Sequence, residues 1–159
     1  MKPDATPYRI PLSSPILMAR FIERPNRFLV LCDLGGKTVE AYLPNPGRLW
    51  ELLIPGRTLY LVANPPETSR STPYTALAVE REGRPVLLHT HLTNDVAAHL
   101  LAAGKLPGFE GAAVIRREAA AGSSRYDFLL ERGGREFFLE IKSCTLFAGR
   151  IAMFPDAVT

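Results

Sequence analysis

Between Ile16 and Val79 the chain offers five short runs of β-branched, aromatic and aliphatic residues, each cut off by a turn-forming cluster. The runs cover residues 16–22, 28–33, 38–42, 58–63 and 74–79, and the breakers between them include Arg24-Pro25-Asn26, Gly35-Gly36, Asn45-Pro46-Gly47, Pro55-Gly56 and Asn64-Pro65-Pro66. Gly35-Gly36 falls where a tight hairpin needs positive φ, which glycine reaches without steric cost. Five strands packed so closely in sequence, interrupted only by a short helix-like Arg48-Leu49-Trp50-Glu51-Leu52-Leu53, predict a small closed barrel of the OB type.

The pattern changes after a sixth strand-like run over 85–91. Residues 92–105 carry Val96, Leu100 and Leu101 on one helical stripe, with Thr93 or Asn94 available as N-cap and Gly104 near the stop. Three strand candidates follow, at 113–118, 125–130 and 136–143. The expected fold class is therefore α+β: an OB-like barrel over residues 1–82, then an α/β domain over 83–159.

Composition narrows the setting. An apolar fraction of 47% with 22% charged residues describes a globular chain rather than a disordered one. No stretch approaches the roughly 18 apolar residues of a membrane span, and the N-terminus lacks a signal-peptide core, so a cytoplasmic protein with no membrane partner is expected. Cys32 and Cys144 form no C-x-x-C pair and read as two buried thiols. His89 and His91, on one strand face, and His99 have no recognised zinc-ligand spacing. The formal charge is +3, and its basic part is skewed to arginine, whose planar fork suits phosphate.

The sharpest chemical pattern lies in the last strand candidate. Alternation along Phe138-Leu139-Glu140-Ile141-Lys142 sends Glu140 and Lys142 to one face, which Phe138 shares. Asp127, in the preceding strand, comes beside Glu140 if the two strands pair as a hairpin through Gly133-Gly134. Converging carboxylates make a hard-oxygen site of the kind that holds Mg²⁺ or Mn²⁺. Such an ion stabilises charge on a scissile phosphate and lowers the pKa of an attacking water, which Lys142 would orient or deprotonate unless it neutralises the pentavalent intermediate. The same three residues also fit ordinary solvated strand charges.

Arg48, Arg70 and Arg125 sit in loops or at strand starts and are candidate phosphate contacts, since an OB barrel offers its loops to single strands. Trp50, between Leu49 and Leu52, fits either a base-stacking platform or a core aromatic, and its helical spacing with those leucines favours the core. Asp156 fits either a distant metal or substrate contact or a helix N-cap.

The order helix, then strands bearing Asp and Glu-x-Lys, resembles the PD-(D/E)xK nuclease core. Pro44-Asn45-Pro46-Gly47-Arg48, Ser123-Ser124-Arg125-Tyr126-Asp127-Phe128-Leu129-Leu130, Glu140-Ile141-Lys142-Ser143 and Phe154-Pro155-Asp156-Ala157-Val158-Thr159 resemble, in wording and order, the sugar fermentation stimulation protein family. The resemblance implies an OB-like barrel joined to a restriction-endonuclease-like domain acting on DNA or RNA, with Asp127, Glu140 and the Ile141 carbonyl as metal ligands and Asp127, Glu140 and Lys142 as the catalytic set. A non-catalytic, regulatory DNA-binding protein is the alternative. The family reads Pro-Asn-Thr-Gly where this chain has Pro44-Asn45-Pro46-Gly47, and its members continue beyond the Pro-Asp-Ala-Val-Thr segment. An incomplete second domain is therefore expected to expose apolar sheet surface, to be covered by a homo-oligomer or a partner.

Overall fold

The structure, a computed structural model, describes residues 14–66, 71–149 and 151–154. It is α+β and mostly β, and it divides into two compact units: Ser14–Thr93 with the described residues from Lys142 onward, and Asn94–Ile141. The expected junction at 82/83 falls in the turn between the fifth and sixth strands.

In the first unit, β1 (Ile16–Asn26), β2 (Leu29–Leu34), β3 (Lys37–Tyr42), β4 (Thr58–Ala63), β5 (Tyr74–Arg81) and β6 (Arg84–Leu87) form one sheet in the order β3-β2-β1-β4-β5-β6. A parallel pairing of β3 with β5, Ala41 with Tyr74 and Tyr42 with Thr75, closes five of these strands into a barrel. The long β1 makes closure possible. Its first half pairs with β4 from Ile16 to Arg20, and its second half pairs with β2 from Arg20 to Asn26 with irregular register after Phe21. Irregularities of this kind bend a strand and sharpen its twist.

Period-two alternation fills the barrel. Ala19 and Phe21 of β1, Val30 and Cys32 of β2, and Leu59 and Leu61 of β4 are all buried. Gly35 and Gly36, at φ 63° and 84°, form the two-residue turn whose twist suits a tight hairpin. Removing each large aliphatic side chain from water stabilises the fold by roughly 1.5–3 kcal/mol.

Three expectations change here. Residues 48–53 form turns instead of a helix, because Leu49 adopts φ 58° and its carbonyl accepts from both Leu52 N and Leu53 N. Leu49 and Leu52 drop into the barrel core, while Trp50 swings outward and is 70% exposed rather than buried. The sixth run is strand only from Arg84 to Leu87, after which Thr90–Leu92 forms a short 3-10 turn, so His89 and His91 share no strand face. Finally, β10 (Leu146–Ala148) and β11 (Ile151–Met153) make a hairpin within this unit. Its Phe147 ring lies 4.2 Å from the Arg81 guanidinium.

The second unit sets one helix against a three-stranded antiparallel meander. Helix α1 (Thr93–Ala102) stops at Gly104, φ 64°, where Gly104 N and Lys105 N donate back to Leu101 and Leu100. Thr93 Oγ1 is buried with no hydrogen-bond partner, so it caps nothing. Strands β7 (Ala113–Ala121), β8 (Ser124–Arg132) and β9 (Arg135–Leu139) follow, β8 and β9 joined through Gly133 and Gly134 at φ 60° and 77°. The core pairs Ala97 and Leu101 of α1 with Phe128 and Leu130 of β8, so of the expected stripe Leu101 is buried while Val96 and Leu100 are only half-buried and Ala97 joins instead. Ile115 of β7 and Phe138 of β9 are exposed. No helix among the described residues is long and apolar enough to cross a membrane.

Both cysteines are free, but only Cys32 is fully buried; Cys144 is half-buried. Burial pushes the Cys32 thiol up to about 12 from its ordinary 9.0. A thiol reagent at pH 8 is expected to modify Cys144 alone in the folded protein and both cysteines in denaturant, as titration of released chromophore would measure. Because the unfolded chain gives up the Cys32 proton first, stability is also expected to fall as pH rises above 9.0, which denaturant midpoints against pH would detect.

Candidate functional site

In the second unit, strand β8 carries Asp127 to the end of the meander. The β8–β9 register runs from Arg132 opposite Arg135 to Phe128 opposite Leu139, so its next step sets Asp127 opposite Glu140. That step is not a ladder pair. β9 ends at Leu139, and just beyond it Ile141 N donates a 2.6 Å bond to Asp127 Oδ2. A side chain has taken the place of a backbone partner.

The other oxygen is held as firmly. Asn94 Nδ2, in the first turn of α1, donates a 2.6 Å bond to Asp127 Oδ1. Both carboxylate oxygens thus have fixed directions, and each retains a second lone pair for a cation. The sequence offered Asn94 as an N-cap; the structure uses it to orient Asp127.

Glu140 and Lys142 are both exposed and lie beyond the last strand residue, so strand alternation does not assign them a shared face. Phe138, expected to share that face, stacks on Tyr126 with ring centroids 4.8 Å apart. By register Glu140 comes opposite Asp127 with Ile141 next in the chain, and among the described residues no group of three His, Cys, Asp or Glu side chains is arranged to hold a metal ion. Carboxylate and carbonyl oxygens are hard donors, of the kind that suits Mg²⁺ or Mn²⁺ better than a thiolate- or imidazole-binding metal. Arg125, on β8, makes a 2.9 Å ion pair through Nε with Glu118 of β7 and remains largely exposed. Arg117 donates at 2.7 Å to Asp95 of α1 and lies over the Phe128 ring.

The barrel unit presents a separate polar feature built around the loop after β3. Arg24, on the irregular half of β1, donates to four carbonyls: Gly47 and Arg48 at 2.7 Å, Arg27 at 2.6 Å and Asn45 at 3.1 Å. Asn45 is buried, donates to Leu88 O at 3.2 Å, and accepts from Gly47 N at 2.9 Å. A Cβ on Gly47 would sit 3.0 Å from the Asn45 amide oxygen, so this turn has little room for another residue. The loop is therefore a rigid mount for Arg48, whose guanidinium lies 5.1 Å from the Trp50 ring centroid. Arg27, Arg48 and Trp50 line a cleft of about 760 Å³ whose far wall includes Met153 and Phe154. Arg70 and Asp156 lie outside the described residues. Arg24 carries no local mark of this role: it sits in a breaker cluster, and three of its four carbonyl partners lie more than twenty positions away.

Comparison with known proteins adds the following. Residues 22–88 match the family model described as SfsA N-terminal OB domain, and residues 91–159 match that of the sugar fermentation stimulation protein RE domain. A sugar fermentation stimulation protein homolog of Chloroflexus aurantiacus is 42% identical over 97% of this chain and 60% of its own length. One from Moorella thermoacetica is 40% identical over 94% of this chain and 65% of its own. The solved structure of Pyrococcus furiosus SfsA in complex with Ca²⁺ superimposes with a TM-score of 0.76 at 33% identity, covering 94% of this chain and 63% of that one. The chain thus spans about three-fifths of the length of the curated relatives it matches.

Two outcomes follow from these geometries. Asp127→Asn is expected to fold with stability within about 1 kcal/mol of the parent, because Asn94 can turn its amide and accept from the new N–H₂ while the remaining oxygen still takes Ile141 N; Asp127→Ala should lose about 2–3 kcal/mol in urea unfolding. Arg24→Ala, which strips four carbonyls of their donor, should cost about 2–3 kcal/mol, and Arg24→Lys should recover little of it because an ammonium cannot reproduce the fork.

Proposed function

The chain belongs to the sugar fermentation stimulation protein family, and from that premise we propose that it binds nucleic acid and hydrolyses its phosphodiester bonds with Mg²⁺ or Mn²⁺. The observation that carries this reading is the Asp127 carboxylate, fixed through both oxygens by Asn94 and Ile141 N, with Glu140 opposite it one register step beyond the last strand pair. A carboxylate so constrained is pre-positioned as a ligand, which lowers the entropy cost of assembling a metal site. That the Pyrococcus furiosus relative was solved with Ca²⁺, another oxygen-seeking cation, supports the same chemistry here.

Asp127, Glu140 and the Ile141 carbonyl would hold the ion. When bound, it supplies Lewis-acid stabilisation of the phosphate and a lowered pKa for the attacking water. Asn94 keeps Asp127 aimed through this chemistry. Lys142, two residues along from Glu140, would orient that water and offset the negative charge gathering on the phosphate oxygens. Binding would come largely from arginine contacts to phosphate, Arg48 and Arg125 among them, and would weaken steeply with salt.

Labelled single- and double-stranded DNA and RNA, incubated with Mg²⁺, Mn²⁺ or EDTA, test the proposal. Cleavage is expected with either metal and none with chelator, and Asp127→Asn or Lys142→Ala should slow it by about 100-fold or more. Calorimetric titration of Mn²⁺ into the parent and into Asp127→Asn gives a readout independent of turnover. Nucleic acid bound but left intact under every metal would leave a non-catalytic DNA-binding protein in place of a nuclease.

A further inference from the structure

An exposed tryptophan is an unusual use of a large apolar side chain, because a half-buried or core position would remove some 150–250 Å² from water. Trp50 is 70% exposed although Leu49 before it and Leu52 after it are buried. The positive φ of Leu49 is what turns the indole away from the barrel. Its surroundings are not those of a stray surface aromatic. Trp50 lines two neighbouring clefts, of about 520 and 760 Å³, and both also take in Arg27 and Arg48. The larger one adds Met153 and Phe154, the latter 57% exposed. The mount is rigid: Arg24 and Asn45 tie down the segment that precedes the ring.

Flat apolar surface edged by guanidinium groups matches one chemistry well. A nucleobase has two π-faces that stack on an indole irrespective of sequence, and the phosphates flanking it find the arginines. In a duplex those faces are already covered by neighbouring base pairs. The outer surface of β2 and β3 carries the exposed acids Asp33 and Glu40; the Trp50 clefts include acids too, Glu23 and Glu51, but set beside Arg27 and Arg48.

We infer that Trp50 and Arg48 form a stacking platform for an unpaired nucleobase, so that the barrel unit selects single-stranded over double-stranded nucleic acid. The inference rests on the nucleic-acid reading above and adds strand class and the residue that sets it.

Trp50 is the chain's single tryptophan, which makes the test direct. In EDTA, a fluorescein-labelled oligothymidylate and a duplex of the same length are titrated with protein, anisotropy reporting binding, while unlabelled strands are used to follow intrinsic emission. Single strands are expected to quench the indole emission in parallel with binding. Trp50→Ala should lower the ratio of single-strand to duplex affinity about 10-fold, and Trp50→Phe, which keeps a ring, should restore much of it. Circular dichroism checks that both variants fold. Binding by anisotropy without change in emission, or an affinity ratio unaltered in Trp50→Ala, overturns the platform while leaving nucleic-acid binding standing. Absence of binding to every strand overturns both.

Discussion

Closure of the barrel rests on two residue pairs. Among the described residues, Ala41 with Tyr74 and Tyr42 with Thr75 are the pairs of the parallel β3–β5 contact, and without them β3 would be an open edge. Everything on the loop side of the barrel follows from where that short pairing leaves the chain. Directly after Tyr42 come the buried Leu43, Pro44 and Asn45, and Asn45 takes the carbonyl of Leu88 on the far side of β6. The chain is then committed to leave the barrel through Gly47 and Arg48 under the grip of Arg24. A loop placed by closure and fixed by one guanidinium can present Trp50 without support from a helix.

The second unit solves a different problem. A carboxylate that is to hold a metal ion, as proposed for Asp127, needs a defined direction, and a strand alone gives only a face. Asp127 gains direction just past the ladder: β9 ends one residue before Glu140, and beyond that end its carboxylate takes a bond from Ile141 N. Asn94 supplies the second constraint from the helix. Local loss of strand hydrogen bonding is thereby converted into site geometry.

Much of this was legible in the sequence and part was not, for physical reasons that differ by residue. Glycine pairs at 35–36 and 133–134 announced hairpins because positive φ has a residue signature, and the second hairpin alone predicts Asp127 opposite Glu140. Strand positions showed through period-two burial, as at Val30 and Cys32. What stayed hidden depends on contacts distant in sequence. Leu49 is not a residue that advertises positive φ, so the apparent helical spacing around Trp50 suggested a core aromatic where the chain exposes one. The premature end of β9 is accompanied by a bond spanning fourteen positions, and strand propensity through 136–143 gives no hint of it.

Arginine usage illustrates the same point in energetic terms. The excess of arginine suggested phosphate binding, yet much of it is engaged within the fold. Arg24 caps four carbonyls, Arg57 donates to Glu51 O and Leu52 O, Arg20 to Gly56 O and Thr58 Oγ1, and Arg132 to Gly108 O. Each replaces a backbone partner where a loop departs from regular structure, a task for which a five-donor planar fork is better suited than an ammonium. Arg117 meets a carboxylate instead, and Arg125 does so through Nε while its side chain stays 70% exposed. Charge count therefore overstates the phosphate-binding surface, and position corrects it: Arg27 and Arg48 border the clefts beside the exposed indole, where a guanidinium can face a ligand. Selectivity for a flexible, unpaired strand needs few charges if one of them is held beside a ring.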